Sequence, residues 1–439
     1  MSDKTNQAGF YVLEKFELTP LYETKKYTSV DLKNTIVNWQ FTESINSTFM
    51  YGSAIIHESY DMLKDLPVRG EEKLSIQYRD QFKKLHSYEF VVYAVTDIET
   101  DRKTNGRILR YTISFCTMQK LDADWQWVRK SYGDSLISDM VQDVFDRYMQ
   151  GDKEIEIEPT DGEQTLVIPR FRPDEAMQFL ARRAYTNKRE SSLYYFFENS
   201  EKYYFCTYEY LVDKFKPLVA SADAAEGNNL KYMFSQLEDN APAGQEAAKF
   251  SVSSLSYLDR SNSIKAMKDG AYKRKITELD YYTRTRTVRT YDYVENIDSH
   301  SIIDDLKVIN TTDYIDKYMP EEEAPEAIYV TDYNQLGLPQ GKDYSLRKYA
   351  YYAENFMRKS MIDYYMRTNE VSCSISGNGD IYAGKMIYLD VFTLGETGKG
   401  LQEDRERNEQ YLVTTVTNVF SGDYHTQLLK ITKGGLGKE

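Results

Sequence analysis

Two stretches near opposite ends of the chain share one pattern of apolar and polar residues. The first is YEFVVYAVTDI at residues 88–98, and the second is QYLVTTVTNVF at residues 410–420. Aligned without gaps, the equivalent pairs are Val91-Val92 with Leu412-Val413, Val95-Thr96 with Val416-Thr417, and Asp97-Ile98 with Asn418-Val419. Both stretches are rich in β-branched and aromatic residues, which favours β-strands. The chain therefore contains two closely similar predicted strands, separated by most of its length.

The strands on either side of this pair also correspond. A glycine, Gly70 or Gly384, comes shortly before the preceding strand, EEKLSIQYRD or KMIYLDVF. A polar turn follows the repeated strand, and then comes RILRYTISF or YHTQLLKIT. Convergence is one explanation, because β-strands use a limited set of residue types. Three strands in the same order favour an internal duplication instead, and this predicts two related small β-barrels.

The length of the chain, 439 residues, exceeds what one hydrophobic core usually organises. Residues 1–120 are predicted to form the first barrel, and residues 121–215 an α+β domain. Residues 216–341 are predicted to contain a linker and a β-rich inserted domain with loops. Residues 342–439 are assigned to a long helix and the second barrel. The predicted fold class is β-rich α+β, with two related barrels flanking mixed α+β middle domains.

Local patterns predict helices and a hairpin outside the barrels. Apolar residues recur at helical spacing in GDSLISDMVQDVFDRYM, after a predicted N-cap at Asp134-Ser135. Pro173 is predicted to occupy the first turn of a second helix, RPDEAMQFLARRAY. The stretch SSLYYFFENSEKYYFCTYEYL predicts an aromatic hairpin that turns at Asn199-Ser200. Residues 345–369 predict a long helix, one side of which carries Leu346, Tyr349, Ala350, Ala353, Phe356 and Met357.

No residue pattern in the chain predicts an active site. The four histidines and three cysteines are scattered without metal-ligand spacing. GxSxG, Walker and GxGxxG motifs are absent from the sequence. SGNGD, residues 376–380, is too short for a calcium loop and is predicted to be a turn. The sequence therefore assigns no catalytic residue, no metal and no cofactor.

Charge and apolar content argue against two further classes of protein. A net charge of −14 is unfavourable for nucleic-acid binding, so the basic residues between Lys273 and Arg289 are predicted to pair with acidic groups. No apolar run approaches the ~18 residues of a membrane span, and no signal peptide is evident, so no stable membrane association is expected. Trp125 and Trp127 are predicted to pack at a domain junction, which argues against an adhesin with exposed tryptophan platforms.

In order and pattern, nearly the whole chain resembles the baseplate central hub proteins of contractile, T-even-like phage tails. Their family includes the N-terminal part of VgrG and the late-control tail proteins. The resemblance lies in the opening strands that end in ISFCTMQK, in SLISDMVQDVFDRYM, in IPRFRPDEAMQFLARRAY and in LYYFFENSEKYYF. It continues through the helix before the last barrel and the strands YAGKMIYLDV, YLVTTVTNVF and TQLLKIT. VgrG carries an appended spike domain, whereas this chain ends at GGLGKE, so the resemblance implies a separate spike protein.

The resemblance implies two tube-like barrels in each subunit and a homotrimer with pseudo-sixfold symmetry. Such a ring would join the hexameric tail tube to the trimeric spike. The implied partners are further copies of the chain, the spike protein, the tail-tube or tube-initiator protein, baseplate wedge components and the tape-measure protein. DNA would only pass through the channel. The implied location is the tail baseplate of a virion, assembled in the host cytoplasm.

Interface residues are predicted on the repeated strands and on the long helix. They are Val91, Val92, Val95, Ile98, Leu412, Val413, Val416, Val419, Leu346, Tyr349 and Phe356. The 39 tyrosines suit such contacts, because tyrosine combines a large apolar face with a hydroxyl that tolerates water. Two alternative functions stay open: a hub of a non-contractile tail or secretion-type injector, and a cell-wall-degrading tail enzyme.

Overall fold

Strands dominate the computed structural model, and most of the helical residues that it describes lie between residues 118 and 220. This architecture confirms the predicted β-rich α+β class. The structure describes residues 7–21, 29–59, 72–100, 109–149, 151–188, 193–220, 230–235, 248–257, 273–280, 284–292, 326–331, 370–394, 401–403 and 409–433, together with Lys359, Ile362, Asp363, Met366 and Arg367.

The elements follow one another in three groups along the chain. The N-terminal strands are β1 (Val12–Pro20), β2 (Val30–Asp31), β3 (Ile36–Ser44), β4 (Tyr51–Glu58), β5 (Glu72–Arg79), β6 (Leu85–Thr100) and β7 (Leu109–Thr117). The middle elements are α1 (Met118–Trp125), β8 (Val128–Ser135), α2 (Ile137–Tyr148), β9 (Ile155–Ile157), β10 (Gln164–Phe171), α3 (Pro173–Arg183), β11 (Tyr194–Glu198), β12 (Tyr203–Thr207) and α4 (Tyr208–Ala220). The remaining strands are β13 (Lys231–Ser235), β14 (Val252–Tyr257), β15 (Lys273–Asp280), β16 (Thr285–Asp292), β17 (Glu326–Thr331), β18 (Glu370–Ser376), β19 (Met386–Leu394), β20 (Leu401–Glu403), β21 (Glu409–Ser421) and β22 (Tyr424–Lys433).

One large sheet joins the two ends of the chain. Its strands follow the order β14-β18-β22-β21-β3-β4-β7-β6-β5-β1-β2, and β19 extends it from β21 with β13 and β20. The N-terminal and C-terminal strand sets are thus hydrogen-bonded edge to edge through β21 and β3. The smaller sheets of the described residues are β10-β8, β11-β12-β9 and β16-β15-β17.

The pairing registers extend the internal repeat from three strands to five. The series β3-β4-β7-β6-β5 and β14-β18-β22-β21-β19 pair in the same order, with every neighbouring pair antiparallel. β3 has a bulge at Val37, and β14 has one at the equivalent residue, Ser253. β6 and β21 have a second matched pair of bulges, at Tyr93 and Thr414. Because a bulge inserts one extra residue at one defined place in a strand, two coinciding bulges support the predicted duplication.

The two ends of the C-terminal strand set meet through β13. β13 pairs in parallel with β19, and an isolated bridge joins Met233 of β13 to Ser251, the residue before β14. The path β14-β18-β22-β21-β19-β13 therefore closes around a core that includes Ile375, Leu412 and Leu429. Both β13 and β14 come from the segment predicted to be a linker and inserted domain, and the four domain boundaries stay a prediction.

The middle of the chain has its own core, and its second helix begins later than predicted. Helix α2 begins at Ile137, so the predicted N-cap at Asp134-Ser135 is wrong. Both residues end β8, where Asp134 adopts a left-handed φ of 38°. The N–H of Ser138, a free donor of the first turn, instead donates to Thr160 Oγ1 at 3.0 Å. A distant residue thus replaces the local cap.

Two other predictions for the middle are confirmed. Pro173 occupies the first turn of α3. β11 and β12 form the predicted aromatic hairpin, and Asn199 Oδ1 accepts hydrogen bonds from the N–H groups of Glu201 and Lys202 in its turn. Such side-chain bonds to nearby backbone are the reason that asparagine favours turns. The hairpin is shorter than predicted, because α4 begins at Tyr208.

Most of the predicted long helix lies outside the described residues, including Leu346, Tyr349 and Phe356. Its described members, Lys359, Ile362, Asp363, Met366 and Arg367, are helical. Ile362 and Met366 are buried in the core of the C-terminal strand set. This end of the helix therefore packs against the second barrel.

Candidate assembly surfaces

Five predicted interface residues are buried within the chain itself. They are Val91, Val92, Leu412, Val413 and Val416. Their side chains hold the repeated strands in place from inside the protomer. Val95 and Val419 are half-buried, and Ile98 is 57% exposed. For these three residues, contact with another subunit stays a prediction; Leu346, Tyr349 and Phe356 lie outside the described residues.

Strand β21 is shared between the two strand sets. Its first half pairs with β19, and its second half pairs antiparallel with β3. Two hydroxyl pairs bridge the second junction: Thr42 Oγ1 lies 2.9 Å from Thr417 Oγ1, and Ser44 Oγ lies 2.8 Å from Thr415 Oγ1. The backbone ladder and these side-chain bonds join the two repeats into one unit.

Phe420 of β21 lies in the core of the N-terminal strand set. Its ring stacks on Trp39 at 3.7 Å between centroids and meets Tyr11 and Tyr78 edge-on. The side chain is fully buried. Alternation in the sequence indicates that Trp39 faces inward, but no local pattern marks Phe420 as a member of the opposite core. Sequence reasoning missed this contribution.

A buried polar cluster lies beside Phe420. His425, which is 1% exposed, stacks on Phe420 at 4.0 Å. Burial lowers the pKa of His425 to about 3, so its imidazole is neutral. Its Nε2 lies 2.9 Å from Asn418 Oδ1, which also accepts a hydrogen bond from Gln427 Nε2 at 2.9 Å. Because an amide oxygen only accepts, Nε2 must carry the imidazole proton.

The SGNGD segment is a turn, as predicted, and it covers two imidazoles. A Cβ atom at Gly377 would lie 2.0 Å from His425 Nδ1, and one at Gly379 would lie 2.2 Å from His86 Nε2. His86 belongs to the first strand set, where its Nε2 lies 2.9 Å from Asp80 Oδ2. Gly379 thus allows this turn of the second set to pack closely against the first set, and Gly377 allows it to pack against His425 of its own set.

Buried carboxyl groups attach the β11-β12 hairpin to the first strand set. Glu43 of β3 accepts hydrogen bonds from the N–H of Ser200 at 2.7 Å and from its Oγ at 3.0 Å. Burial raises the pKa of Glu43 to about 8, against the opposing effect of these bonds. Glu198 accepts a hydrogen bond from Thr117 Oγ1 at 2.7 Å and forms an ion pair with Lys153 at 2.6 Å. The middle domain is therefore held to the first strand set by hydrogen bonds to buried carboxyl groups.

Along the outer half of β6, the described residues pair with one edge of the strand. β5 pairs with β6 only as far as Val91, whereas β7 follows the other edge to Thr100. Beyond Val91, no strand in the described ranges pairs with the edge opposite β7. This half contains a further bulge, where Asp97 adopts a φ of 53°, and it exposes Ile98 and Glu99. In β21 the corresponding edge is occupied by β3.

Strand β14 is likewise paired along one edge among the described residues. One side of β14 pairs with β18, and the bridge from β13 reaches only Ser251. Within the part of the chain that the structure describes, no strand lies along the other edge from Ser253 to Ser256. Ser253, Ser254 and Ser256 are exposed there.

Trp125 and Trp127 lie on an exposed surface, so the prediction that both pack at a domain junction is wrong. Trp125 is 81% exposed and Trp127 is 39% exposed. The guanidinium groups of Arg172 and Arg170 lie 3.7 Å and 4.4 Å from the centroid of the Trp127 ring. These cation–π contacts cover the Trp127 ring, whereas Trp125 remains available for contacts with other molecules.

Two features of the described residues bear on metal binding and on thiol chemistry. They contain no group of three or more His, Cys, Asp or Glu side chains placed to hold a metal ion. The three cysteines are free and buried, and burial raises the pKa of Cys116 and of Cys373 to about 12. Thiols with such pKa values stay protonated and unreactive at neutral pH. Among the helices that are described, none combines the length and apolar character needed to cross a membrane.

The fold is similar to those of two phage tail proteins. One is the 43 kDa tail protein of prophage MuSo2 from Shewanella oneidensis, with a TM-score of 0.51 and 9% identity over 96% of this chain and 98% of that chain. The other is the tail protein from Neisseria meningitidis MC58, with a TM-score of 0.53 and 7% identity over 98% of each chain. No protein-family model matches the sequence. No curated protein matches it either. The likeness is thus one of fold, along nearly the full length of both chains.

Proposed function

We propose that the chain is a structural hub of a contractile phage tail baseplate. It works as a homotrimeric adaptor that joins the tail tube to the central spike and lets DNA pass through its channel. The observation that carries the proposal is the five-strand repeat, whose two copies are joined edge to edge through β21 and β3. The similarity in fold to two phage tail proteins supports the same role.

Symmetry explains why one chain would contain the same strand set twice. Three copies closed into a ring carry six similar strand sets, arranged with pseudo-sixfold symmetry. The six strand sets match a hexameric tail tube, while the three subunits match a trimeric spike. The duplication thereby resolves the mismatch between two neighbouring parts of a tail.

The proposed partners follow from this position. They are the spike protein, the tail-tube or tube-initiator protein, the baseplate wedge components and the tape-measure protein. The hub has no enzymatic step in this mechanism, because its task is to hold two assemblies of different symmetry. It resides in the baseplate of the virion tail.

The acidic net charge of the chain is compatible with the passage of DNA through the proposed channel. Three copies carry a formal charge of about three times −14. A neutral to acidic channel would let DNA slide, since lysine and arginine contacts to phosphates create salt-dependent binding that slows movement. Binding of duplex DNA by the assembled ring at physiological salt would contradict this part of the proposal.

Electron microscopy of the purified full chain, with mass measurement of the same sample, tests the proposal. We expect threefold rings with six similar lobes around a hole, and a mass of three times 51.3 kDa. A monomer at every concentration, or rings of another order, would contradict the trimer. Turnover of purified peptidoglycan by the protein would favour the alternative of a cell-wall-degrading tail enzyme.

A further inference from the structure

The two-stranded sheet of β8 and β10 has one buried face and one exposed face. Along β8, Val128 is buried in the core of the middle domain, and Arg129 and Ser131 are exposed on the opposite side. The pairing register shifts so that two residues of β10, Pro169 and Arg170, lie opposite Arg129 alone. Such a bulge turns both of its residues towards one side, and proline fits there because a bulge needs fewer N–H donors. Both residues are exposed beside Arg129.

Two tryptophans extend the exposed face towards helix α1. Trp125 is the last residue of α1, and Trp127 directly precedes β8. Trp125 and Val167 of β10 are 81% and 63% exposed, so this side of the middle domain also presents apolar groups to solvent. The guanidinium groups of Arg170 and Arg172 lie over the Trp127 ring. We call this surface the Trp-Arg face, and it comprises Trp125, Trp127, Arg129, Val167, Arg170 and Arg172.

The charge of the Trp-Arg face is opposite to that of the whole chain. Residues 125–133 and 164–172 contain four basic residues and no acidic residue, although acidic residues outnumber basic ones by 69 to 55 in the chain. One of the four, Lys130, forms an ion pair with Asp143. No carboxyl group in the described ranges forms an ion pair with Arg129 or Arg170. The face is therefore a positively charged area on an acidic protein.

Bonds within the middle domain position one arginine and occupy two nearby carboxyl groups. Arg172 Nη1 donates to the carbonyl oxygen of Gln126 at 3.4 Å, which holds the guanidinium against Trp127. The backbone N–H of Arg172 donates to Glu175 at 2.9 Å. Asp124 forms an ion pair with Lys120 at 2.7 Å. A side chain that is already ordered loses less conformational entropy when it binds a partner.

We propose that the Trp-Arg face binds an acidic segment of another protein, in which an apolar side chain lies beside the carboxylates. Arg129 and Arg170 pair with the carboxylates, because a planar guanidinium donates two parallel N–H groups to one carboxylate. The apolar side chain covers Trp125. Tryptophan and arginine are the residue types that contribute most to binding between proteins. The face belongs to a single protomer, so the proposal does not rest on the ring proposed above.

The chemistry of the face disfavours two other occupants. The phosphate backbone of a nucleic acid would pair with the arginines, but it brings no apolar group to Val167, and Trp127 is already covered by guanidinium groups. A second copy of this chain that docks through the same face would place arginine against arginine, since a twofold contact joins identical patches. An acidic and apolar protein segment satisfies both the charge and the exposed apolar surface.

Binding of a synthetic peptide to the full chain tests the proposal. The probe is a fluorescein-labelled peptide with the repeat Glu-Leu-Glu-Gly, and its fluorescence anisotropy measures the affinity. We expect saturable binding that weakens as salt rises, because salt screens exposed charge pairs. The unlabelled peptide should also shift the tryptophan emission to shorter wavelength, since Trp125 leaves water when it is covered. Trp39 is buried and does not change its environment.

Substitutions on the face identify the side chains that bind. Arg129→Glu/Arg170→Glu should weaken peptide binding about tenfold or more, and Trp125→Ala should do the same through the lost apolar contact. The matched control Arg110→Glu/Arg367→Glu makes the same change in net charge at exposed arginines elsewhere and should retain the wild-type affinity. Thermal unfolding verifies that each variant is folded, which we expect because all the substituted side chains lie at the surface.

Two further peptides separate the two parts of the contact. The repeat Gln-Leu-Gln-Gly lacks the carboxylates, and the repeat Glu-Ser-Glu-Gly lacks the apolar side chain. Each should bind about tenfold or more weakly than the first peptide. Equal affinity of all three peptides would contradict recognition of an acidic and apolar segment.

The other outcomes each overturn the proposal. They are no binding at about 1 mM peptide, or equal affinity of the wild type and Arg129→Glu/Arg170→Glu. Tighter binding of single-stranded oligothymidylate than of the acidic peptide would assign the face to nucleic acid. An oligomer of the wild type that the same double variant dissociates would assign it to a second copy of the chain. A threefold ring that does not bind the peptide would overturn this proposal and leave the hub function standing.

Discussion

Phe420 stacks on Trp39 with ring centroids 3.7 Å apart and ring planes 2° from parallel. Phe420 belongs to β21, a strand of the C-terminal set, yet it is buried in the core of the N-terminal set. That core is otherwise built from residues 11–115. The first strand set is therefore complete only when the last hairpin of the chain has docked, and the two ends of the chain must fold together.

Replacing Phe420 should destabilise the whole protein. Phe420→Ala removes a fully buried ring, which typically costs about 3–5 kcal/mol of unfolding free energy. Urea denaturation followed by tyrosine fluorescence measures the loss. Leu428→Ala, in neighbouring β22 and 49% exposed, should change stability by no more than about 0.5 kcal/mol. Equal effects of the two substitutions would mean that Phe420 does not complete the first core.

The SGNGD turn should not tolerate side chains at its glycines. Gly377→Ala and Gly379→Ala place a Cβ at 2.0 Å and 2.2 Å from buried imidazole atoms, so the turn or the rings must move. We expect each substitution to lower the unfolding free energy by about 1–3 kcal/mol, the usual cost of overpacking. Gly133→Ala is the matched control, because a Cβ there has no neighbour within 4 Å. Thermal unfolding of the three variants measures the difference, and wild-type stability of Gly377→Ala would contradict the close packing.

Ionisation of Glu43 should lower stability as the pH rises. Its pKa in the native protein, about 8, is above the ordinary value of 4.5, so the native state holds a proton that the unfolded chain has released. The stabilisation is complete below pH 4.5 and is lost as the pH rises through 8. Glu43→Gln cannot ionise, so its stability relative to wild type should increase between pH 5 and pH 8.

Urea denaturation at several pH values measures this relative stability. Glu89→Gln, which removes a carboxyl group that is 51% exposed, is the control and should follow the wild-type pH profile. Parallel profiles for Glu43→Gln and wild type would show that Glu43 is ionised in the native protein at neutral pH.

Lys359 should make the stability of the protein rise with pH, which is opposite to the effect of Glu43 and occurs at higher pH. It donates to the carbonyl oxygens of Arg182 and Ala184 at the end of α3, and burial lowers its pKa from 10.5 to about 7. Between pH 7 and 10.5 the unfolded chain holds a proton that the native state lacks, so stability rises with pH. Lys359→Met should remove this rise, while exposed Lys33→Met should retain it. A rise of equal size in Lys359→Met would assign the effect to other groups.

Local sequence patterns predicted those elements whose conformation depends on residues nearby in the chain. The Asn199-Ser200 turn and Pro173 were found where the sequence indicated them. The cap of α2 was missed because its acceptor, Thr160, comes from another segment. The exposure of Trp125 was missed because apolar composition alone predicts burial.

The sequence by itself determined that this chain is β-rich and that its two ends carry related strands, because strand periodicity and residue type are properties of short segments. Only the tertiary structure decided that β21 serves both strand sets, that Phe420 fills the opposite core, and that the repeat extends to β3 and β14 with matched bulges. The physical reason is that strand pairing between distant segments depends on backbone hydrogen bonds, which every residue except proline can make. Register and edge partners therefore depend on the packing of the whole molecule, and no single stretch of the sequence determines them.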